Sequence, residues 1–190
     1  YMNDHDLWQA LKNGDKSALE SIYKDHVEHL IRYGYRFSQD TQLIEDCLQD
    51  LFIELWNKRT WLGSTKNIRP YLMVSLRRKL IKKIKKYQLH QADLEPDTYD
   101  FQVDLDIEQL MIQDEHSAEQ LNRIKSAFAA LSDRQKEAIF LKYYQDMDYE
   151  EIGEAMNINY QSVRNLVFRA VKSLRELLFW GFLLYFLDSL

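Results

Sequence analysis

The feature that most restricts how this chain can fold is the segment DYEEIGEAMNINYQSVRNLVFRAVK at residues 148–172. Asp148 and Glu151 have the spacing of a reciprocal helix cap, in which each side chain accepts a hydrogen bond from the backbone of the other residue. Ile152 and Met156 follow at a spacing of one helical turn, so both lie on the same face. The pattern predicts a short helix that begins after Asp148.

A tight turn and a second helix are predicted directly afterwards. Asn157 tolerates the positive φ at which helices commonly end, and Asn159 is a preferred residue type at a helix start. Ile158 lies between them and is expected to fill the corner, while Gly153 has no side chain to hold a second helix away. Two crossed helices joined in this way form a helix-turn-helix, which is typical of DNA-binding proteins.

The second helix has an apolar side and a polar side. The apolar side contains Val163, Val167, Ala170 and Leu174, and the opposite side contains Gln161, Arg164, Asn165, Phe168 and Lys172. Gln and Asn form paired hydrogen bonds with adenine and Arg with guanine, while Ser162, Arg169 and Lys172 are suited to phosphate contacts. This favours DNA binding over the alternative of an ordinary helical hairpin with a solvated polar face.

Residues that break regular structure are rare, since the 190 residues include five Gly and two Pro. Apolar residues recur at helical spacing in nearly every segment, so the expected fold class is all-α. Cys47 is the single cysteine, which excludes an internal disulfide, and no secretory leader is recognisable. We therefore expect a cytoplasmic protein.

Charge is segregated along the chain, although the net charge is −5. Residues 66–90 contain nine Lys or Arg and no Asp or Glu, whereas residues 91–119 contain ten Asp or Glu and no Lys or Arg. The first block predicts a cationic surface. The second lacks sustained helical periodicity and contains Pro96, so we expect an acidic linker between two helical domains, mobile in the unbound protein.

Three or four packed helices are predicted for the N-terminal domain. A turn at Asn13-Gly14-Asp15 precedes a helix whose apolar spacing is carried by Leu19, Ile22, Tyr23, His26, Val27 and Leu30. In the next helix, IEDCLQDLFIELW, the buried stripe is formed by Leu48, Leu51, Phe52, Leu55 and Trp56. Its other side carries Asp46, Asp50 and Glu54, a row that is either a solvated face or a docking surface for a basic partner protein.

A basic helix, PYLMVSLRRKLIKKIKKY, is predicted after the polar loop TWLGSTKNIR, with Pro70 at its start. Its apolar stripe consists of Leu72, Leu76, Leu80 and Ile84. Such a helix lies either on an anionic membrane or along a phosphate backbone, and the DNA-reading motif nearby favours the backbone. Trp61 in the loop can stack on an unpaired base, and the other interpretation is a core tryptophan or one that anchors the loop.

Together, the DCLQDLFIELW helix, the YLMVSLRRKLIKKIKK helix, the acidic linker and the stretch from LSDRQKEAIF to VRNLVFRAVKSLREL resemble an alternative bacterial sigma factor of the extracytoplasmic-function group, in the sigma-70 family. The resemblance covers about residues 7–178. It implies that regions 2 and 4 bind core RNA polymerase and read the minus-ten and minus-thirty-five promoter elements. The expected organisation is a region 2 domain at 1–88, an acidic linker at 89–119, a region 4 domain at 120–178 and an apolar tail at 179–190.

The resemblance also implies residue roles. Docking on the polymerase clamp falls to Asp46, Asp50, Leu51, Glu54 and Trp56. The residues that the resemblance places at the capture of an unstacked minus-ten base are Trp61, Lys66, Asn67 and Arg69. The residues that it places at nearby DNA contacts are Arg77 and Arg78. Reading of the minus-thirty-five element falls to Tyr160, Gln161, Ser162, Arg164, Asn165, Arg169 and Lys172. The chain departs from the family pattern at Leu166, where members commonly have a basic residue, and in the basic helix, which lacks the usual Asn and Asp.

The C-terminal segment LLFWGFLLYFLDSL contains an apolar run of about eleven residues, and a bilayer span needs about 20. The alternatives are a helix extension packed on either domain, a docking segment for an anti-sigma protein, and shallow membrane insertion. Internal packing or a partner groove is favoured, because an exposed patch this apolar promotes aggregation.

Motifs for catalysis are not recognisable: there is no glycine-rich phosphate loop, no paired-His metalloprotease motif and no zinc-type Cys spacing. His26 and His29 lack a third ligand nearby, and Cys47 is better explained as a small core residue than as a nucleophile. We expect no enzymatic activity, cofactor, metal or small-molecule substrate. The expected partners are core RNA polymerase, promoter DNA and an anti-sigma factor, and the alternative functions are a stand-alone helix-turn-helix regulator and a helical scaffold.

Overall fold

The computed structural model describes residues 3–65, 67–88, 100–102 and 124–188, apart from the side chains of 87–88 and 177–188. It divides into two compact units, one formed mainly by residues up to Asp100 and one mainly by residues from Phe101 onward. Within these ranges the regular structure is entirely helical, which confirms the all-α prediction.

The first unit contains four α-helices in the part of the chain that is described. They are α1 (Asp4–Lys12), α2 (Lys16–Gly34), α3 (Thr41–Asn57) and α4 (Ile68–Gln88), with a single 3-10 turn at Arg59–Trp61. Helices α2, α3 and α4 pack against one another, and α1 packs on α2 and on the 3-10 turn. The centre of this bundle is fully buried and includes Trp8, Leu11, Ile22, Leu30, Tyr33, Ile44, Cys47, Leu72, Leu76 and Leu80.

Local signals in the sequence set the boundaries of these helices. Gly14 adopts a φ of 88° in the predicted turn, and the carboxylate of Asp15 accepts the Ser17 N–H at 2.8 Å to cap α2. Helix α4 begins at Ile68, two residues earlier than predicted. Pro70 therefore lies inside the first turn, where its missing N–H leaves no helical hydrogen bond unmade.

The second unit contains α5 (helical over residues 124–129), α6 (Asp133–Ile139), a π-helical turn (Phe140–Tyr144), α7 (Tyr149–Met156) and α8 (Tyr160–Asp188). Ser132 and Gln135 form a reciprocal capping box at the start of α6, which packs against α8. The buried side chains of this unit include Leu131, Ala138, Leu141, Met147, Ile152, Val163 and Val167.

Phe101 lies in the stretch that the sequence predicts as an acidic linker, yet it is a core residue of the second unit. Its side chain is fully buried and meets the ring of Phe140 edge to face, with centroids 5.7 Å apart. Its backbone N–H donates to the carboxylate of Asp133 at 3.2 Å. The predicted linker therefore does not extend unbroken from 89 to 119, and its remaining residues, except 100 and 102, lie outside the described part of the chain.

The backbone of α8 continues without a break from the helix-turn-helix as far as Asp188. The backbone of the apolar tail is therefore a continuation of α8, while the side-chain packing that would distinguish the three alternatives for the tail lies outside the described residues. Within the described ranges, each helix is too short or too polar to cross a membrane.

Candidate nucleic-acid interface and docking face

The corner between α7 and α8 has the hydrogen bonds that its sequence predicts. The N–H of Asp148 donates to the Glu151 carboxylate and the N–H of Glu151 donates to the Asp148 carboxylate, each at 2.8 Å. Asn157 ends α7 at a φ of 55°, and the side-chain oxygen of Asn159 accepts the Ser162 N–H at 2.8 Å to cap α8. These contacts confirm the helix-turn-helix prediction.

Gly153 fixes how closely the turn can approach α7. A Cβ atom at this position would lie 2.8 Å from the carbonyl oxygen of Ile158, which is closer than Cβ atoms approach in real structures. The N–H of Ile158 donates back to the Gly153 carbonyl at 2.9 Å. The absence of a side chain at Gly153 thus allows the turn to fold directly over α7 and sets the direction in which α8 leaves.

The polar side of α8 is presented to solvent. Its exposed residues are Tyr160, Gln161, Arg164, Asn165, Phe168, Arg169 and Lys172, and Ser162 is half-buried at the helix start. The Gln161 amide donates to the Asn165 side chain at 3.4 Å, so the two amides lie side by side on the exposed face. Lys172 lies 3.8 Å from Glu176, and this solvated pair is a weak one.

A hollow of about 280 Å³ lies beside this face. It is lined by Arg134, Ile158, Ser162, Asn165, Leu166 and Arg169. Arg134 belongs to α6 and was missed by the sequence reasoning, because nothing in the local pattern places it next to α8. Two guanidinium groups and a hydroxyl group around one hollow are suited to phosphate oxygens, and Leu166 supplies its apolar part.

The loop after α3 presents an aromatic ring to solvent. Trp61 has 88% of its surface exposed, so the interpretation of this residue as a core tryptophan is wrong. Asn67 is exposed as well, while Arg69 is half-buried with its guanidinium group 3.4 Å from the His29 ring. Lys66 lies outside the described residues.

The two arginines predicted for the neighbouring DNA contacts lie in different environments on α4. Arg78 is exposed, whereas Arg77 is buried with 8% of its surface accessible. The structure therefore brings Arg78, but not Arg77, to the surface of the first unit.

The three side chains of the acidic row on α3, Asp46, Asp50 and Glu54, have different surroundings. Asp50 forms an ion pair with Lys83 at 3.1 Å, and Glu54 pairs with both Lys58 and Lys79. Hydrogen bonds from Lys58 and then Lys79 lower the pKa of Glu54 from 4.5 to about 2. Asp46 accepts a hydrogen bond from the Gln42 amide at 3.1 Å, so each of the three carboxylates has a partner within the first unit, and the side chains of Asp50 and Glu54 remain about half exposed.

A groove of about 660 Å³ opens between α2 and α3. Two residues predicted to dock on polymerase, Asp46 and Trp56, line it, whereas Asp50, Leu51 and Glu54 do not. Leu51 is buried in the core. The groove thus contains only part of the predicted docking set.

Most of the groove wall consists of residues that the sequence reasoning did not assign to docking. Tyr23 and Ile53 are 46% and 52% exposed, and both line the groove, so they give it an apolar surface that solvent can reach. The Tyr23 ring meets Phe52 edge to face at 5.0 Å, and the guanidinium group of Arg59 lies 4.3 Å from the Trp56 ring. Their exposure depends on how α2 and α3 pack, which periodicity alone does not determine.

The residues considered for metal or thiol chemistry have ordinary structural surroundings. Among the described residues, no group of three or more His, Cys, Asp or Glu side chains is arranged to hold a metal. Burial lowers the pKa of the His26 imidazole. Burial also lowers the pKa of His29, where the positive charge of Arg69 acts in the same direction. Burial also raises the pKa of the Cys47 thiol, which fits its position in the core.

Family models match both units. The model for sigma-70 region 2 matches residues 22–89, and the model for sigma-70 region 4 matches residues 121–174. The chain belongs to the sigma-70 family. Within this sigma factor, the region 4 match includes the whole helix-turn-helix, and the region 2 match includes the Trp61 loop and both walls of the groove except Leu19.

Relatives of this sigma factor align along most of its length. The extracytoplasmic-function (ECF) RNA polymerase sigma factor SigK of Mycobacterium tuberculosis is 24% identical over 183 residues, covering 90% of this chain and 91% of the relative. The ECF sigma factor SigM of Bacillus subtilis is 23% identical over 160 residues, covering 84% and 94%.

Solved structures share the fold of this sigma factor. CnrH, in complex with the cytosolic domain of CnrY, has a TM-score of 0.61 at 17% identity and covers 92% of this chain and 96% of its own. RpoE of Bartonella quintana, in complex with the anti-sigma factor NepR, has a TM-score of 0.57 at 21% identity and covers 84% and 95%.

Proposed function

We propose that this sigma factor binds core RNA polymerase and directs it to promoters whose minus-ten element is read by the first unit and whose minus-thirty-five element is read by the second. The observation that carries the proposal is that one chain contains both sigma-70 regions in order, with an exposed aromatic loop in the first and an exposed reading helix in the second. Each unit thus has its own chemistry for DNA.

The minus-thirty-five element is assigned to the start of α8. Gln161, Arg164 and Asn165 are exposed on one side and have the donors and acceptors that distinguish bases in the major groove. Arg169 and Ser162, at the hollow beside them, are assigned to phosphate oxygens together with Arg134. Tyr160, which meets Tyr149 edge to face, and Lys172 border the contact area.

The minus-ten element is assigned to the loop between α3 and α4. Trp61 offers a solvated ring on which an unpaired base can stack, and such stacking needs no duplex. Asn67 lies six residues after Trp61 and is exposed, with Lys66 and Arg69 near it in sequence, and Arg78 is exposed farther along on α4. Arg77 is assigned a place behind this surface, because its side chain is buried.

Docking on polymerase is assigned to the groove between α2 and α3. Its exposed apolar residues give a partner helix a surface to bury, and Asp46 at its edge favours a basic partner. Asp50 and Glu54 are assigned a supporting role in docking, because their ion pairs with two lysines of α4 hold α3 against that helix.

Regulation by an anti-sigma factor is part of the proposal. The two solved structures described above are complexes, one with the cytosolic domain of CnrY and one with the anti-sigma factor NepR. We infer that an inhibitory protein sequesters this chain as well. The proposal also implies a non-enzymatic protein that acts in the cytoplasm, where polymerase and promoter DNA are found.

Transcription in vitro tests the function as a whole. Core RNA polymerase with the full chain is expected to produce discrete transcripts from a genomic fragment library, and core polymerase alone is expected to produce none. If the chain binds library DNA but starts no transcript, it is a stand-alone regulator and the sigma assignment fails.

The docking groove is tested by measuring the affinity of the full chain for core polymerase. Ile53→Lys and Asp46→Lys each change a groove residue, so we expect the Kd to rise by about tenfold or more. Glu20→Lys is the matched control, because Glu20 is an exposed carboxylate of α2 that pairs with Lys24 and does not line the groove. If all three variants bind core polymerase with equal affinity, the groove is not part of the interface with polymerase.

A further inference from the structure

Helix α1 lies outside the region 2 match, which begins at residue 22, yet it makes the long-range contacts that hold the Trp61 loop. It packs against the 3-10 turn that contains Trp61. Two of its side chains also reach the backbone farther along the loop, one in the middle and one at its end.

Trp8 holds the middle of the loop. Its indole N–H donates to the carbonyl oxygen of Gly63 at 2.9 Å, and its ring is buried with 1% of its surface exposed. The ring also meets Tyr71 of α4 edge to face at 5.0 Å. The donor that fixes Gly63 is therefore itself fixed by packing.

Asp4 holds the end of the loop. Its carboxylate accepts the backbone N–H of Ile68, the first residue of α4, at 2.8 Å. N–H groups in a first helical turn have no partner within their own helix, and a carboxylate at that position also interacts favourably with the helix dipole. A residue 64 positions away thus serves as the cap of α4.

The contacts of α1 explain how Trp61 can be exposed and still be well positioned. The N–H of Trp61 donates to the Lys58 carbonyl at 2.8 Å, so the backbone on its N-terminal side is held by the 3-10 turn. On its C-terminal side the backbone is held by Trp8 at Gly63 and by Asp4 at Ile68. The ring therefore projects into solvent from a backbone that is fixed on both sides.

We propose that α1 is the positioning element of the minus-ten loop and that Asp4 and Trp8 are positioning residues, which preset Trp61 to receive an unstacked base. The inference rests on the proposed reading of the minus-ten element by this loop. A stacking residue held in its bound position loses less conformational entropy on binding, so promoter opening is faster than with a mobile loop.

Promoter opening by the holoenzyme tests the inference. The full chain and core polymerase are mixed with a promoter taken from the transcription assay, carrying 2-aminopurine in the minus-ten element, and the rise in fluorescence gives the opening rate. Asp4→Ala and Trp8→Phe each remove one anchoring hydrogen bond and are expected to slow opening by about three- to tenfold. Asp4→Asn keeps an acceptor oxygen and is expected to recover most of the rate.

Asp6→Ala is the matched control within α1. Asp6 is an exposed carboxylate whose side chain makes no hydrogen bond or ion pair in the described part of the chain, so the rate is expected to stay within twofold of the original. Polymerase affinity is measured for every variant and is expected to be unchanged, which separates loop positioning from unfolding of the first unit.

A double-mutant cycle distinguishes positioning from general stabilisation. If Asp4 acts through Trp61, Asp4→Ala will slow opening much less in a Trp61→Ala background than in the original chain. An equal slowing in both backgrounds would overturn the inference while leaving the proposed function intact. Opening at the original rate by Trp61→Ala itself would instead overturn the assignment of the minus-ten element to this loop, and the inference with it.

Discussion

Gly153 shows how one residue without a side chain determines the geometry of a DNA-reading corner. Gly153→Ala would place a methyl group 2.8 Å from the Ile158 carbonyl oxygen, which belongs to backbone and cannot rotate away. We expect the free energy of unfolding to fall by about 1–3 kcal/mol. Urea denaturation followed by circular dichroism measures it, with Gly63→Ala as the control, since its Cβ meets open space. Equal denaturation midpoints for both variants would contradict the steric argument.

The residues that could be predicted from sequence are those whose partners lie close along the chain. Asp148 and Glu151 cap each other across three residues, and Asn159 caps Ser162 at the same separation. Trp8 and Asp4 could not be assigned, because their backbone partners lie 55 and 64 residues away. Contacts of that kind depend on the packed fold and leave no periodic signal in the sequence.

At the scale of elements, helices α3 and α4 are joined by ion pairs that neither helix predicts alone. Asp50 pairs with Lys83 and Glu54 pairs with Lys79, so carboxylates four residues apart meet lysines four residues apart in antiparallel order. This matched spacing was present in the sequence. It could not be assigned to pairing, because the rotation of each helix about its axis is set by the buried stripe and by the neighbouring helices.

Stability of the α3–α4 contact is expected to depend on pH through Glu54. Its pKa is lowered from 4.5 to about 2, so its contribution is fully present above about pH 4.5 and is lost as the pH falls toward 2. The side chain is 43% exposed, and solvent screening makes the effect modest. We expect the difference in free energy of unfolding between the original chain and Glu54→Gln to shrink steadily over this range.

The pH dependence is measured by urea denaturation between pH 6 and pH 3. Glu45→Gln is the control, because Glu45 is an exposed carboxylate of the same helix without an ion pair in the described part of the chain. A difference for Glu54→Gln that stays constant with pH would show that the two lysines do not favour the ionised carboxylate.

At the scale of the whole molecule, the proposed function depends on two DNA contacts that act together. A short exposed helix face and one exposed aromatic loop are each small surfaces, so each unit alone is expected to bind DNA weakly. Once one contact forms in the holoenzyme, the second becomes intramolecular, and the effective concentration of its DNA element rises into the millimolar range. This gain exists only if the distance between the elements matches the distance at which polymerase holds the two units.

Promoter spacing therefore separates a bipartite reader from a stand-alone regulator. Inserting five base pairs between the two elements turns the minus-thirty-five element by about half a helical turn, since a turn is about 10.5 base pairs. We expect transcription by the holoenzyme to fall at least about tenfold, because the two contacts can no longer form together. Inserting about a full turn returns the minus-thirty-five element to its original face of the DNA. It also lengthens the spacer by about 34–36 Å, so activity is expected to stay low.

Binding of the chain without polymerase to a duplex containing only the minus-thirty-five element provides the reference, because that contact involves α8 alone. Transcription that is insensitive to both insertions would show that a single element is read, and the division of labour between the two units would then be wrong.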